Sequence, residues 1–298
     1  MRKTVVLIPI LAALALGACG LSPATPSASG SKVEVVSAEN FWGSIAAQVG
    51  GDRVHVTSII VNPDTDPHAY ESTPSDARTI AQAKYVIVNG LGYDPWAPKL
   101  LAANPIAGRQ VLNVGDLFGK KEGVNPHLWY SPTYVDQVAD RIAADLGKVD
   151  PVDASYFTAQ GAQYKTVGLE AYHDTIKTIK TKYPGTPIGA TESIVSYLAD
   201  GVGLKMVTPY AYLKATSEGS DPSAADKAEV QNEIATRSIK VFVFNRQNST
   251  PDIQGLVNKA KAQGIPIAQV TETLTPSNLT FQDWQTGQLK QLLTALGG

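Results

Sequence analysis

The chain has 298 residues, of which 43% are hydrophobic, with 25 Lys and Arg against 27 Asp and Glu. That describes a foldable body of one large domain or two ordinary ones, and a formal charge of −2 lacks the basic excess of a nucleic-acid binder. A single cysteine excludes an internal disulfide and a cysteine-rich metal site, which leaves four histidines as the nitrogen donors commonly used for metals.

The chain opens on Arg2 and Lys3, followed by an uncharged apolar run from Val5 to about Leu16. The run suits a signal-peptide core and is short for a membrane span. It ends in Leu16-Gly17-Ala18-Cys19, which resembles a bacterial lipobox. The expectation is a signal peptide over 1–18, lipid on Cys19, and a Ser/Pro/Ala/Gly-rich tether over 19–32. Diacylglycerol on Cys19 would anchor the protein to the outer face of the cell membrane. The competing reading is a plain signal peptide with Cys19 incidental. Cleavage before Cys19 removes Arg2 and Lys3 and no acid, taking the charge from −2 to −4.

From Val33, β-branched apolar runs alternate with amphipathic stretches. Strands are predicted at 33–38, 54–60, 85–89 and 110–114, and helices at 41–49, 75–83, 96–103 and 135–146. Residues 153–182 carry no proline and no strand run, so they read as one long helix stopped by Tyr183-Pro184-Gly185. The alternation then resumes, with strands at 187–190, 205–209, 240–244 and 265–270 and helices at 224–238, 252–263 and 280–296. This is an α/β pattern of mostly parallel sheets covered by helices. The domains follow as an N-terminal lobe over 33–152, a linker helix over 153–183 and a C-terminal lobe over 184–298.

His68 lies in Asp66-Pro67-His68-Ala69-Tyr70-Glu71, after a strand and before a helix. Loops at strand C-termini line the ligand crevice of such sheets, so His68 is a candidate ligand; the alternative is a surface histidine in a turn. His127 lies in Asn125-Pro126-His127-Leu128-Trp129-Tyr130, where the bulky residues that follow suggest a shielded position. It is a second candidate ligand, or else a core histidine bonded to backbone. His55, in a strand, and His173, in the linker helix, read as structural or surface residues.

The two Pro-His segments, DPHAYESTPSD and NPHLWYSP, resemble the histidine motifs of the metal-binding lipoproteins of bacterial ABC importers. These are the cluster A-I solute-binding proteins for zinc and manganese. The resemblance runs from Val33 onward and implies two Rossmann-like lobes joined by a single long helix, with one divalent ion between them. It implies a third ligand at Glu192, in Ala190-Thr191-Glu192-Ser193-Ile194, and a fourth at Glu272, where the family usually has aspartate. Read without it, Glu192 also suits a helix N-terminus and Glu272 an exposed loop, with Asp283 as the fallback ligand.

Two imidazoles and two carboxylates suit Zn2+ at low coordination or Mn2+ at high coordination. The implied activity is capture of one such ion per chain and delivery to the permease subunits of an ABC transporter, without catalysis. The implied protein is a monomer with no nucleic-acid partner. A zinc-dependent hydrolase and a surface adhesin are the competing functions. Four protein ligands leave no vacancy for a catalytic water, which weighs against the hydrolase.

Overall fold

The computed structural model describes residues 31–298 together with Met1. The signal segment, Cys19 and nearly all of the tether lie outside the described residues. Residues 31–298 form one compact unit holding two four-stranded, all-parallel sheets. Among the described residues no helix is long and apolar enough to cross a membrane.

The first sheet has β1 (Val33–Glu39), β2 (Val54–Ile60), β3 (Tyr85–Val88) and β4 (Gln110–Asn113) in the order β2-β1-β3-β4. Its helices are α1 (Asn40–Gly50), α2 (Pro74–Gln82), α3 (Trp96–Ala103), the single turn α4 (Val114–Leu117) and α5 (Pro132–Val149). Every side chain of β3 is buried, as a parallel strand covered on both faces requires. A Cβ on Gly43 would run into the Ser58 hydroxyl, so only glycine lets α1 lie this close to β2.

The second sheet has β5 (Pro187–Ala190), β6 (Lys205–Met206), β7 (Val241–Asn245) and β8 (Ile267–Val270) in the order β6-β5-β7-β8. Around it lie α8 (Ser196–Val202), α9 (Tyr210–Ser217), α10 (Ala224–Ala235), α11 (Pro251–Ala262) and α12 (Phe281–Leu296). The strand expected over 205–209 pairs only at Lys205 and Met206. Beyond Val207 the sheet contact passes to a side chain: the Thr208 hydroxyl accepts from the Ala190 amide at 3.1 Å, and Pro209 has no N–H to give. Helix α9 was not expected from the sequence.

The run expected as one helix is helical from Ala154 to Lys182, as α6 (Ala154–Gln163) and α7 (Glu170–Lys182). A π-helical turn over Tyr164–Gly168 separates them, with the Leu169 amide donating to the Tyr164 carbonyl at 2.8 Å. A π turn takes an extra residue per turn and so re-aims the side chains that follow.

The main core is continuous across both sheets. Phe41 of α1 stacks on Trp129 at 4.0 Å, while Tyr172 of α7 meets Phe281 of α12 edge-on at 6.3 Å. The Ser44 hydroxyl accepts from the Phe281 amide at 2.8 Å and Asn40 Oδ1 from the Leu274 amide at 3.2 Å, so the last segment of the chain is stitched to the first helix.

Candidate metal centre

The site lies where the C-terminal ends of strands from both sheets converge, the place where parallel sheets leave backbone groups and loops free for ligands. His68 comes from the β2–α2 loop, His127 from the connection between α4 and α5, and Glu272 from the loop after β8. One donor atom from each of these three lies within 4.8 Å of the others. Three of the four expected ligands are therefore brought together from segments far apart in sequence.

His127 is 1% exposed, in line with the shielding expected from Leu128 and Trp129. Its Nδ1 meets Asn125 Oδ1 at 2.6 Å, and the same oxygen accepts from the His127 amide at 3.1 Å. That contact puts the proton on Nδ1 and leaves Nε2 as the nitrogen with a lone pair to offer a metal. Asn125 is held in turn: its Nδ2 donates to the Ser193 carbonyl at 2.8 Å, and Tyr197 donates to its backbone carbonyl at 3.0 Å. The Asn89 amide also donates to the Pro126 carbonyl at 3.0 Å. Burial, and then the neighbouring His68, push the His127 pKa well below the usual imidazole value, so the ring is neutral and ready to ligate. Removing the amide with Asn125→Ala should weaken metal binding about 10- to 100-fold while the protein stays folded, as measured by competition titration.

His68 is half-buried, with its backbone amide held by Asp66 Oδ1 at 2.9 Å. Its Nε2 is buried with no hydrogen-bond partner among the described residues, a cost that a bound cation would remove. The ring packs edge-on against Tyr93 at 4.8 Å.

Glu272 is gripped by two donors. Tyr93 donates to Oε2 at 2.9 Å and Asn245 Nδ2 to Oε1 at 2.9 Å. Burial pushes the Tyr93 phenol well above its ordinary pKa, so it remains a donor. Glu192 is 1% exposed and stands beside the cluster but outside it. Asn245 Nδ2 donates to one of its oxygens and Asn248 Nδ2 to the other, the latter at 2.9 Å. One asparagine amide thus bridges both carboxylates. The Gln247 amide donates to Asn245 Oδ1 at 3.0 Å, which fixes the direction in which that NH2 points. Burial, and then the charge of Glu272, raise the Glu192 pKa; burial likewise raises that of Glu272. Two carboxylates confined this closely without a cation hold a proton instead.

The remaining candidates have other occupations. His55 pairs with Glu34 at 2.8 Å and His173 with Asp136 at 3.0 Å. Asp283 takes the Thr280 hydroxyl at 2.6 Å as part of the α12 cap. Tyr93, Asn245, Asn248 and Gln247 were not anticipated, because a lone tyrosine or amide carries no spacing signal. Asn125 had one: an asparagine two residues before a functional histidine is a local side-chain-to-backbone turn.

A cavity of about 180 Å³, lined by Asp66, His68, Gln247 and Glu272 among others, opens onto the cluster. A second, of about 240 Å³, is lined by His68 together with Gly92, Asn125 and Lys214. A partly buried set of imidazole nitrogens and carboxylate oxygens beside an open cavity fits a divalent transition metal.

The chain is 25% identical over 306 residues to the high-affinity zinc uptake system protein ZnuA of Bacillus subtilis, covering 95% of this chain and 93% of that protein. It is 26% identical over 233 residues to the manganese-binding lipoprotein MntA of Halalkalibacterium halodurans, covering 76% of each. In fold it is similar to the manganese-bound periplasmic metal binding protein of Candidatus Liberibacter asiaticus, with a TM-score of 0.75 at 22% identity over 89% of this chain and all of that one. A nickel complex of the solute-binding protein FpvC from Pseudomonas aeruginosa gives a TM-score of 0.70 at 19% identity, over 89% of this chain and 97% of that one. The family model for the periplasmic component A of zinc-uptake complexes, ZnuA, matches residues 35–295. That match begins in β1, ends in α12 and takes in both sheets and all the residues gathered between them: the chain belongs to the ZnuA family.

Proposed function

We propose that the protein is an extracytoplasmic solute-binding protein that captures one Zn2+ or Mn2+ ion and hands it to the permease of an ABC importer. The observation that carries this reading is the cluster of His68, His127 and Glu272 at the ends of strands from two sheets. The buried His68 Nε2, which has no hydrogen-bond partner among the described residues, and the two neighbouring buried carboxylates, whose mutual repulsion a cation would relieve, support this reading. Glu192 completes the set by exchanging its amide partners for the ion. The relatives' names, a zinc uptake protein and a manganese-binding lipoprotein, support both ions.

The ligands fall on the two sides of a lobe boundary placed at 33–152 and 184–298, with 153–183 as the linker. The continuous core across that boundary favours small lobe movements on loading, so release depends on the permease disturbing the ligand set. The lipobox reading of Cys19 anchors the protein, as a monomer, outside the cytoplasmic membrane, in keeping with the lipoprotein name of the manganese relative. The reading is of a binding protein rather than an enzyme, since the clustered side chains are spent on holding the ion. Titration of the metal-stripped protein with zinc and with manganese should show tight uptake of one ion per chain and no metal-dependent hydrolysis of model esters or peptides. Failure to bind either ion, or measurable turnover, overturns the reading.

A further inference from the structure

We propose that Gln247 is a positioning residue that latches the His68 loop onto the Glu272 loop and thereby sets how fast the metal leaves. The inference rests on the metal-binding reading above. Gln247 follows β7 and makes no hydrogen bond to the side chain of a candidate ligand. Its side-chain amide is fully used all the same. Oε1 accepts from the backbone amides of Glu272 and Thr273, at 2.5 and 3.1 Å. Nε2 donates to the Thr273 hydroxyl at 2.9 Å and to the backbone carbonyl of Pro63. Two acceptances and two donations exhaust what a glutamine amide can make.

Pro63 belongs to the loop that carries His68, and the other hydrogen bonds of that loop are local. Thr65 donates to the Asn62 carbonyl, Asp64 to the Asn62 side chain, His68 to Asp66 and Tyr70 to the Pro67 carbonyl. Among the described residues, the Gln247–Pro63 bond is the one hydrogen bond that ties residues 61–71 to the second sheet and its loops. The same side chain therefore orients the peptide of Glu272 on one side of the site and holds the backbone leading to His68 on the other. An ion clasped between His68 and Glu272 stays only while both remain in place. Cutting the latch frees the His68 loop to swing away, which acts on dissociation more than on association.

Stopped-flow transfer of zinc from the loaded full-length protein to a chromophoric chelator tests this, together with hydrogen exchange of the loaded protein. Gln247→Ala should release zinc about 10- to 100-fold faster than wild type, with faster exchange at the amides of residues 64–70. Release at the wild-type rate, or faster release with exchange in that loop unchanged, overturns the latch. If the alanine variant does not fold, Gln247→Glu takes its place: it keeps acceptors for the Glu272 and Thr273 amides but has no donor for Pro63. Exchange at 64–70 should rise there as well, and unchanged exchange overturns the latch. A wild-type protein that takes up no zinc would instead overturn the metal-binding reading, and the latch with it.

Discussion

His127→Ala should weaken binding of zinc or manganese by more than about 100-fold, beyond what loss of a supporting partner costs. The reason lies in how firmly this ring is held. His127 is buried, its Nδ1 is committed to Asn125, and Trp129 packs against it with ring centres 5.1 Å apart. The position is organised before the ion arrives, so little ordering entropy is lost on binding and the imidazole contributes nearly its full coordination energy. His68 sits on a half-exposed loop and His68→Ala should also abolish tight binding. Glu272→Gln, which keeps one oxygen donor and both hydrogen-bonding neighbours, should only weaken it. Competition titration against a chelator of known affinity reads all three. Unchanged affinity in either histidine variant contradicts the site.

Metal affinity should rise with pH through neutrality and level off only above about pH 8. His127 is already neutral at pH 7, because burial and His68 hold its pKa down, so it has no proton to lose. The proton that the ion must displace belongs to the carboxyl pair, where burial and then the charge of Glu272 push Glu192 up to about 8. Below that value each pH unit should cost up to about tenfold in affinity, the limit for one displaced proton. Calorimetry at pH 7 in buffers of different ionisation enthalpy should find about one proton released per ion; none released contradicts the assignment. The sign for stability follows from the same shift. A carboxyl whose pKa is raised by folding favours the folded state most at pH below its unfolded value near 4.5, and that contribution is lost as pH rises toward 8. Above about pH 6.5, where His127 is neutral in the folded and the unfolded chain alike, the metal-free protein should therefore lose stability as pH rises toward 8. The rise in Tm on adding zinc should be larger at pH 8 than at pH 6.

Much of the fold was legible in the sequence because parallel strands buried on both faces write themselves as uninterrupted apolar runs. The segments Tyr85–Val88 and Val241–Asn245 are found where the runs are. Legibility fails where tertiary contact replaces local pattern. Lys205–Pro209 reads as a strand, but only Lys205 and Met206 pair, since a hydroxyl and a proline end the ladder. The π turn at Tyr164–Gly168 leaves no mark in hydrophobic spacing, so residues 153–182 read as uniform helix. At the site, His68 and His127 stand out because histidine is scarce and each follows a proline. Glu192 and Glu272 carry no such mark and stand out only by the family resemblance. The groups that orient them are asparagines, a glutamine and a tyrosine scattered over several loops. Only the folded chain shows that Asn245 bridges both carboxylates or that Tyr93 reaches Glu272.

Where an ion sits decides the site assignment most directly. Anomalous diffraction at the zinc edge, from crystals of the zinc-loaded protein, should give one peak per chain between His68, His127 and Glu272. The ion should lie about 2.0–2.2 Å from an imidazole nitrogen of each histidine and from a Glu272 oxygen. A principal peak elsewhere, or one that leaves either histidine uncoordinated, would contradict it.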